Sequence, residues 1–184
     1  MTLKPRFVAE ALTPAECDRL IALARAAPER PAGLVGGRTA PGLRRAGIVW
    51  LDDLPAAAFA MDKMIRLVAE VNRDHFRLDL TDFGESAQIA RYGAAEQGHF
   101  GWHSDIGSGH WAAQRKLTVV VQLSDATAYL GGALEVQPDS AVTEAPRHRG
   151  TAALFPSFAL HRVTPVTTGE RWSLTLWAHG PNFR

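Results

Sequence analysis

The sequence predicts a mainly β domain, a barrel or jelly roll with helices packed on one side. Three observations carry this expectation. Two amphipathic helical patterns occupy the first half of the chain. Short β-type runs separated by turn residues fill the second half. The 16 Gly and 11 Pro among 184 residues exceed the roughly 12% of ordinary usage, as a turn-rich fold requires.

The elements follow in order. Thr13-Pro14-Ala15-Glu16 supplies a hydroxyl cap, a proline at the first helical position and a Glu three residues after the cap, the signature of a capping box. The helix it opens carries Leu20, Ile21, Leu23 and Ala24 on one face and ends near residue 27, before Pro28. Residues 30–47 hold five glycines with Pro31 and Pro41, too long a connector for a compact domain unless it is mobile or functional. Ile48 to Leu51 reads as a strand. A second helix is expected from about Pro55 to Phe76, where Phe59, Met61, Met64, Ile65, Val68 and Val71 recur at helical spacing between charged residues. Strands are then expected at 86–92, 99–103, 116–123, 133–137, 150–155, 161–163 and 171–178, punctuated by Gly93, Gly131-Gly132, Pro138 and Pro156. The whole reads as one domain over 1–184, with helical support at 13–76 and a β core at 86–178.

Composition narrows the function. Twenty Lys and Arg against 19 Asp and Glu give a net charge of +1, without the basic excess of a nucleic-acid binder. The single cysteine, Cys17, excludes an internal disulfide and a Cys-built metal site. No run approaches the ~20 apolar residues of a membrane span, and the first twelve residues lack the apolar stretch of a signal peptide. A cytoplasmic enzyme or binding domain is the expectation.

The chemistry gathers at His103-Ser104-Asp105. Residues i and i+2 of a strand share a face, so both side chains can reach one ion. The pair is a weak signal alone, and a hydrogen-bonded histidine at a strand end accounts for it equally well. His161 opens another β run and adds a second imidazole. Two imidazoles and one carboxylate leave three coordination positions open and suit Fe(II). Zinc accepts the same set with a water as fourth ligand. Further on, Arg171 shares a strand face with Ser173, Thr175 and Trp177, opposite Trp172, Leu174 and Leu176. An inward Arg on a buried strand requires an anion, either a carboxylate of the protein or one on a ligand.

His103-x-Asp105, His161 and Arg171-x-Ser173 together resemble the iron(II)/2-oxoglutarate-dependent dioxygenases, in particular the prolyl-4-hydroxylase-like branch. Gln88-Ile89-Ala90-Arg91-Tyr92-Gly93 is similar to the strand that opens that family's catalytic core. Leu123-Ser124-Asp125 with Tyr129-Leu130-Gly131-Gly132-Ala133-Leu134-Glu135 resembles its turn and Gly-Gly strand. Phe155-Pro156-Ser157, His161 to Val166 and Gly169 to Ser173 resemble its third-ligand segment. The likeness covers about residues 86–178.

The resemblance implies a double-stranded β-helix with Fe(II) held by His103, Asp105 and His161 at its open end. It implies 2-oxoglutarate and O2 as co-substrates, with Arg171 on the distal carboxylate of the keto acid. Tyr92 stands where the family often places a tyrosine toward the C1 carboxylate. Gln122 falls near a position some members fill with tyrosine, and Ser173 is a further donor. The implied reaction decarboxylates 2-oxoglutarate to succinate and CO2 while hydroxylating an unactivated C–H. An Asp at 105, where related halogenases carry a small residue, argues for hydroxylation. The substrate is expected to be a small molecule or peptide, an amino-acid or peptidyl side chain with prolyl among the options. Neither nucleic acid nor membrane is expected as a partner.

Other residues are weaker candidates. Arg44 and Arg45 close the 30–47 loop and could hold a substrate, against the plainer reading of solvated charge. Trp111, with His110, lies on the 106–115 segment, which could act as a lid. Arg115, just before its strand, could likewise hold a substrate but reads more readily as solvated charge, and His75, His148 and His179 read as surface residues. His99 could line the pocket but reads more readily as a surface histidine. Two other classes stay open: a cupin-like isomerase or hydrolase using Zn(II) or Mn(II), and a non-catalytic β-sandwich binding module. The first has no need of Arg171 at its spacing from His161, and the second does not require an intact triad.

Overall fold

The structure, a computed structural model, describes residues 2–32, 40 and 42–182. In chain order the elements are β1 (Arg6–Val8), α1 (Pro14–Arg25), β2 (Arg30–Pro31), β3 (Arg44–Arg45), β4 (Gly47–Trp50) and α2 (Ala58–Val71), followed by strands only. These are β5 (Gln88–Gly93), β6 (His99–His103), β7 (Arg115–Gln122), β8 (Tyr129–Gly131), β9 (Leu134–Gln137), β10 (Thr143–Glu144), β11 (Ala152–Pro156), β12 (Leu160–Val163) and β13 (Val166–His179).

The strands build two antiparallel sheets. The larger runs β1-β11-β7-β13-β5-β4-β2, with β8 also paired to β13. The smaller runs β10-β9-β12-β6-β3. The protein is therefore mainly β with two α-helices, as its sequence pattern anticipates.

Period-2 alternation sorts the long strands' side chains. Leu117, Val119 and Val121 of β7 and Trp172, Leu174 and Leu176 of β13 share one core with Leu20, Met64, Val68 and Phe76 from the helical half. Val120, Tyr92 and Phe155 of the larger sheet share a second core with Leu134, Val136 and Val163 of the smaller. One sheet thus has apolar residues on both faces, which is why β7 is buried along its whole length. Arg171, Ser173, Thr175 and Trp177 fall on the inter-sheet face of β13, where they line a cavity.

The capping box forms as its spacing requires. Thr13 Oγ1 accepts from the Glu16 N–H at 3.3 Å, and Glu16 Oε2 accepts from the Thr13 N–H at 2.8 Å. Glu16 also pairs with Lys63 at 2.6 Å, tying α1 to α2.

The second helix departs from one continuous run over 55–76. It is built as 3-10 turns at Leu51–Asp53 and Pro55–Ala57, the α-helix proper, and a π-turn at Asn72–Phe76. Leu51 opens the first of these turns, so the preceding strand stops at Trp50. The π-turn ends at Arg77 in the left-handed region, φ 57°, with its N–H on the Asn72 carbonyl. The 30–47 segment is not loop throughout: its ends are the short strands β2 and β3, and residues 33–39 and 41 lie outside the described residues.

Candidate active site

β6 and β12 pair so that His103 lies opposite His161, with their rings 4.0 Å apart. Asp105 follows the end of β6 instead of continuing it. Its N–H donates to the Ser157 carbonyl at 2.9 Å, which anchors the turn where strand pairing has stopped. Each imidazole uses Nδ1 on the carbonyl two residues back in its own segment, Gly101 for His103 at 2.8 Å and Ala159 for His161 at 2.9 Å. A carbonyl only accepts, so Nδ1 carries the proton and Nε2 presents its lone pair. Those Nε2 atoms lie 3.6 Å and 3.4 Å from the Asp105 carboxylate oxygens. One ligand atom from each of the three side chains falls within 4.8 Å of the others.

Neighbouring groups fix this arrangement. Phe100 stacks on the His103 ring at 3.4 Å and 12°. Thr118 Oγ1 donates to Asp105 Oδ2 at 2.8 Å, and the Trp177 indole N–H donates to the same oxygen at 3.0 Å. Burial lowers the His103 pKa to about 3, reinforced by the adjacent His161 imidazole. Burial alone would raise Asp105, but His161, His103 and the Trp177 N–H outweigh it and bring the carboxyl to about 2. A neutral imidazole beside an ionised carboxylate is the protonation state a metal ion requires. Two nitrogen donors and one oxygen donor with open positions fit Fe(II).

Arg171 has no exposed surface. Its Nη2 donates to Gln122 Oε1 at 2.9 Å and its Nη1 to Ser173 Oγ at 3.4 Å, and its guanidinium lies 5.4 Å from the centre of the Tyr92 ring. Its Nε is buried without a hydrogen-bond partner among the described residues. Gln122, Ser173 and Tyr92 are all neutral, so the guanidinium fits a carboxylate arriving from outside the protein. Gly132 approaches closely beneath it. That residue has φ +61°, and a Cβ there would come within 3.0 Å of Arg171 Cδ.

A cavity of about 640 Å³ joins these groups. The triad, Arg171, Ser173 and Tyr92 line it, and so do Arg44, Trp50, Phe100 and Trp111. Gln122 is buried behind Arg171 and is not part of the lining. Arg44 lies over the Phe100 ring at 4.5 Å and donates to Gln88 Oε1 at 3.3 Å. Arg45 points elsewhere: it donates to the Glu96 carbonyl and lines a separate cavity of about 270 Å³. His99 is bonded to the Gln97 carbonyl and does not line the larger cavity.

Two expectations of surface charge are corrected. His179 is fully buried, with Nδ1 accepting from the Gly84 N–H at 3.2 Å and Nε2 3.0 Å from Glu85 Oε2. Arg115 is buried too, because Glu85 neutralises it through two hydrogen bonds of 2.5 Å. Sequence reasoning passed over Glu85, Thr118 and Trp177 as site residues. Strand parity with Gln122 and Arg171 could have flagged the last two, whereas nothing in the sequence marks Glu85.

A β-protein that gathers two imidazoles and one carboxylate beside a buried, anion-seeking arginine has the architecture of a mononuclear non-haem iron oxygenase. The profile of the 2OG-Fe(II) oxygenase superfamily matches residues 87–179, and the chain belongs to that superfamily. Its members use Fe(II), 2-oxoglutarate and O2. A PKHD-type hydroxylase of Shewanella oneidensis is 36% identical over 81 residues, covering 42% of this chain and 36% of that protein. A PKHD-type hydroxylase of Acidovorax ebreus is 34% identical over 88 residues, 45% of this chain and 39% of that one. The matched stretch spans little more than a third of these relatives. The crystal structure of a Pseudomonas putida prolyl-4-hydroxylase superposes with a TM-score of 0.78 at 25% identity, over 97% of this chain and 94% of that one. A Trichoplax adhaerens prolyl hydroxylase, solved with a hypoxia-inducible-factor peptide fragment, shares the fold at a TM-score of 0.79 and 19% identity, over 97% and 84% of the chains.

Proposed function

We propose that this protein hydroxylates an unactivated C–H of an amino-acid or peptidyl substrate, a prolyl ring among the options, coupled to conversion of 2-oxoglutarate to succinate and CO2. The observation that carries the reading is Arg171, fully buried in the same cavity as His103, Asp105 and His161 and bonded, among the described residues, to the neutral Gln122 and Ser173. In this reading residues 1–184 are one catalytic domain, with helical support at 13–76 and the two sheets over 86–178 forming a double-stranded β-helix.

His103, Asp105 and His161 would hold the iron, which with bound 2-oxoglutarate and O2 supplies the oxidising power for C–H hydroxylation. The chain's own part is positional. The Gly101 and Ala159 carbonyls keep both imidazoles in the Nε2-ligating tautomer, and Thr118 and Trp177 hold Asp105 Oδ2 so that Oδ1 can turn to the metal. Arg171 and Ser173 receive the distal carboxylate of the keto acid, with Tyr92 beside them, while Gln122 holds the guanidinium from behind. The apolar and aromatic lining keeps that region dry, and Arg44, Trp50 and Trp111 border the space left for the substrate.

Anaerobic Fe(II) with 2-oxoglutarate should give the visible charge-transfer band of an iron–keto acid chelate. His103→Ala or Asp105→Ala should abolish both the band and succinate formation. Amino acids and peptides incubated with the loaded enzyme should include one that gains the mass of an oxygen atom. Absence of the band in the wild type, or undiminished turnover in either variant, would sink the proposal.

A further inference from the structure

Beside Asp105, in the lining of the same cavity, lies a largely buried charge cluster that the reaction scheme does not use. Arg115 is its centre. Nε and Nη2 make a two-pronged pair with Glu85, both bonds at 2.5 Å. The remaining nitrogen, Nη1, donates to the main-chain carbonyl of Asp105 at 3.1 Å. The guanidinium carbon sits 3.9 Å over the ring of Trp177, whose indole N–H holds Asp105 Oδ2. Arg115 therefore reaches Asp105 by two routes, and Glu85 fixes its position on both.

Glu85 is held in turn. The Gly84 N–H occupies His179 Nδ1, so the His179 proton sits on Nε2 and is donated to Glu85 Oε2 at 3.0 Å. The His179 ring is covered edge-on by Trp111 at 5.4 Å. A Cβ on Gly84 would meet that same indole, so a larger residue there would displace Trp111 from its place against His179. A neutral His179 leaves the full negative charge of Glu85 for Arg115.

We propose that Glu85 is a positioning residue for the metal centre: it holds the Arg115 guanidinium off the carboxylate of Asp105, leaving that carboxylate free for the ion. The argument is one of competition. A buried guanidinium next to a buried carboxylate pairs with it unless a better-placed anion intervenes. The backbone places Arg115 within reach of Asp105, and the fork of Glu85 fixes it on the main-chain carbonyl instead. Neutralising Glu85 leaves Arg115 with an uncompensated charge and Asp105 as the nearest available anion. Arg115 then contends with the metal for the same oxygens.

This inference rests on Asp105 being a ligand, and its test separates the two ideas. Mn(II), a redox-silent probe, is titrated into wild-type protein, Glu85→Gln, and the double variant Glu85→Gln/Arg115→Gln, with folding followed by thermal melting. Glu85→Gln should weaken Mn(II) binding by about tenfold or more, the usual scale for supporting residues of metal ligands. The double variant should bind within about threefold of wild type, since replacing both members of a buried ion pair removes the competitor and is far better tolerated than breaking the pair. A residue of purely structural importance gives the opposite order, with the double variant no better than the single. Wild-type affinity in Glu85→Gln, or weak binding in the folded double variant, overturns the proposal. If Glu85→Gln does not fold, the double variant decides alone. Wild-type protein that ignores Mn(II) and Fe(II) overturns the reading of Asp105 itself.

Discussion

A guanidinium with no exposed surface normally sits beside a carboxylate, yet Arg171 is surrounded by an amide, a hydroxyl and a phenol ring. The desolvation of that charge is left for a ligand to offset. Charge-assisted hydrogen bonds are worth roughly 1.5–3 kcal/mol each. Arg171→Gln should therefore raise the KM for 2-oxoglutarate by about two orders of magnitude, while Mn(II) binding without the keto acid stays nearly unchanged. Equal loss of both would place Arg171 in the metal site instead. Glu85 makes a second prediction at this scale. Burial would raise its carboxyl, but its bonds to His179 and Arg115 bring it below the ordinary 4.5. The folded state thus holds the ionised form more strongly than the unfolded chain does. The resulting stability is fully present above pH 4.5 and is lost as the pH falls through the lowered value. Urea denaturation from pH 6 downward should show that loss, and the slope should flatten in Glu85→Gln.

At the scale of elements, the Gly131-Gly132 pair at the end of β8 is a support for the site. Both glycines have positive φ, and Gly132 lies against Arg171. Gly132→Ala forces a left-handed backbone on a residue that disfavours it by about 1–2 kcal/mol and pushes on the arginine stem. It should lower the melting temperature and raise the KM for 2-oxoglutarate, with the Fe(II) affinity little changed. The cap of α1 is purely structural by contrast. Thr13→Ala should cost about 1 kcal/mol of stability and leave kcat alone. Elements differ in how plainly the sequence announces them. The capping box and the long strands β7 and β13 are legible because their own periodicity dictates them. β1, β2, β3, β8 and β10 are two or three residues long and exist only because a longer strand is available to pair with, so no local pattern marks them. The same holds for Asp105. The i, i+2 strand rule expects it on the strand with His103, but β6 ends at His103, and Asp105 is held instead through its N–H on the Ser157 carbonyl.

Across the whole molecule, the proposed metal and keto-acid sites would join parts of the chain far apart in sequence: β6 and β12 through the histidines, β13 through Arg171. Ligands that bind only the native assembly stabilise all of it. Mn(II) plus 2-oxoglutarate, each at about a hundred times its Kd, should raise the melting temperature by about 10–20 °C, and a chelator should reverse the shift. The face that Arg171 shares with Ser173, Thr175 and Trp177 is legible from spacing along one strand, whereas His161 meets His103 only through the pairing of β12 with β6. The burial of His179 and Arg115 is not legible in this way, because it depends on Glu85, thirty residues before Arg115 in a segment without regular structure.

β13 lies between β7 and β5 in the larger sheet and also pairs with β8, yet all three precede it in the chain. During synthesis the ribosome delivers both flanking strands long before the one that fills the gap. Until then β5 and β7 present open edges, and Met64 and Val68 of α2 lack Leu174 and Leu176 to cover them. The nascent chain therefore passes through an interval in which it is sticky and inactive at once, and emergence of a single strand ends both conditions together.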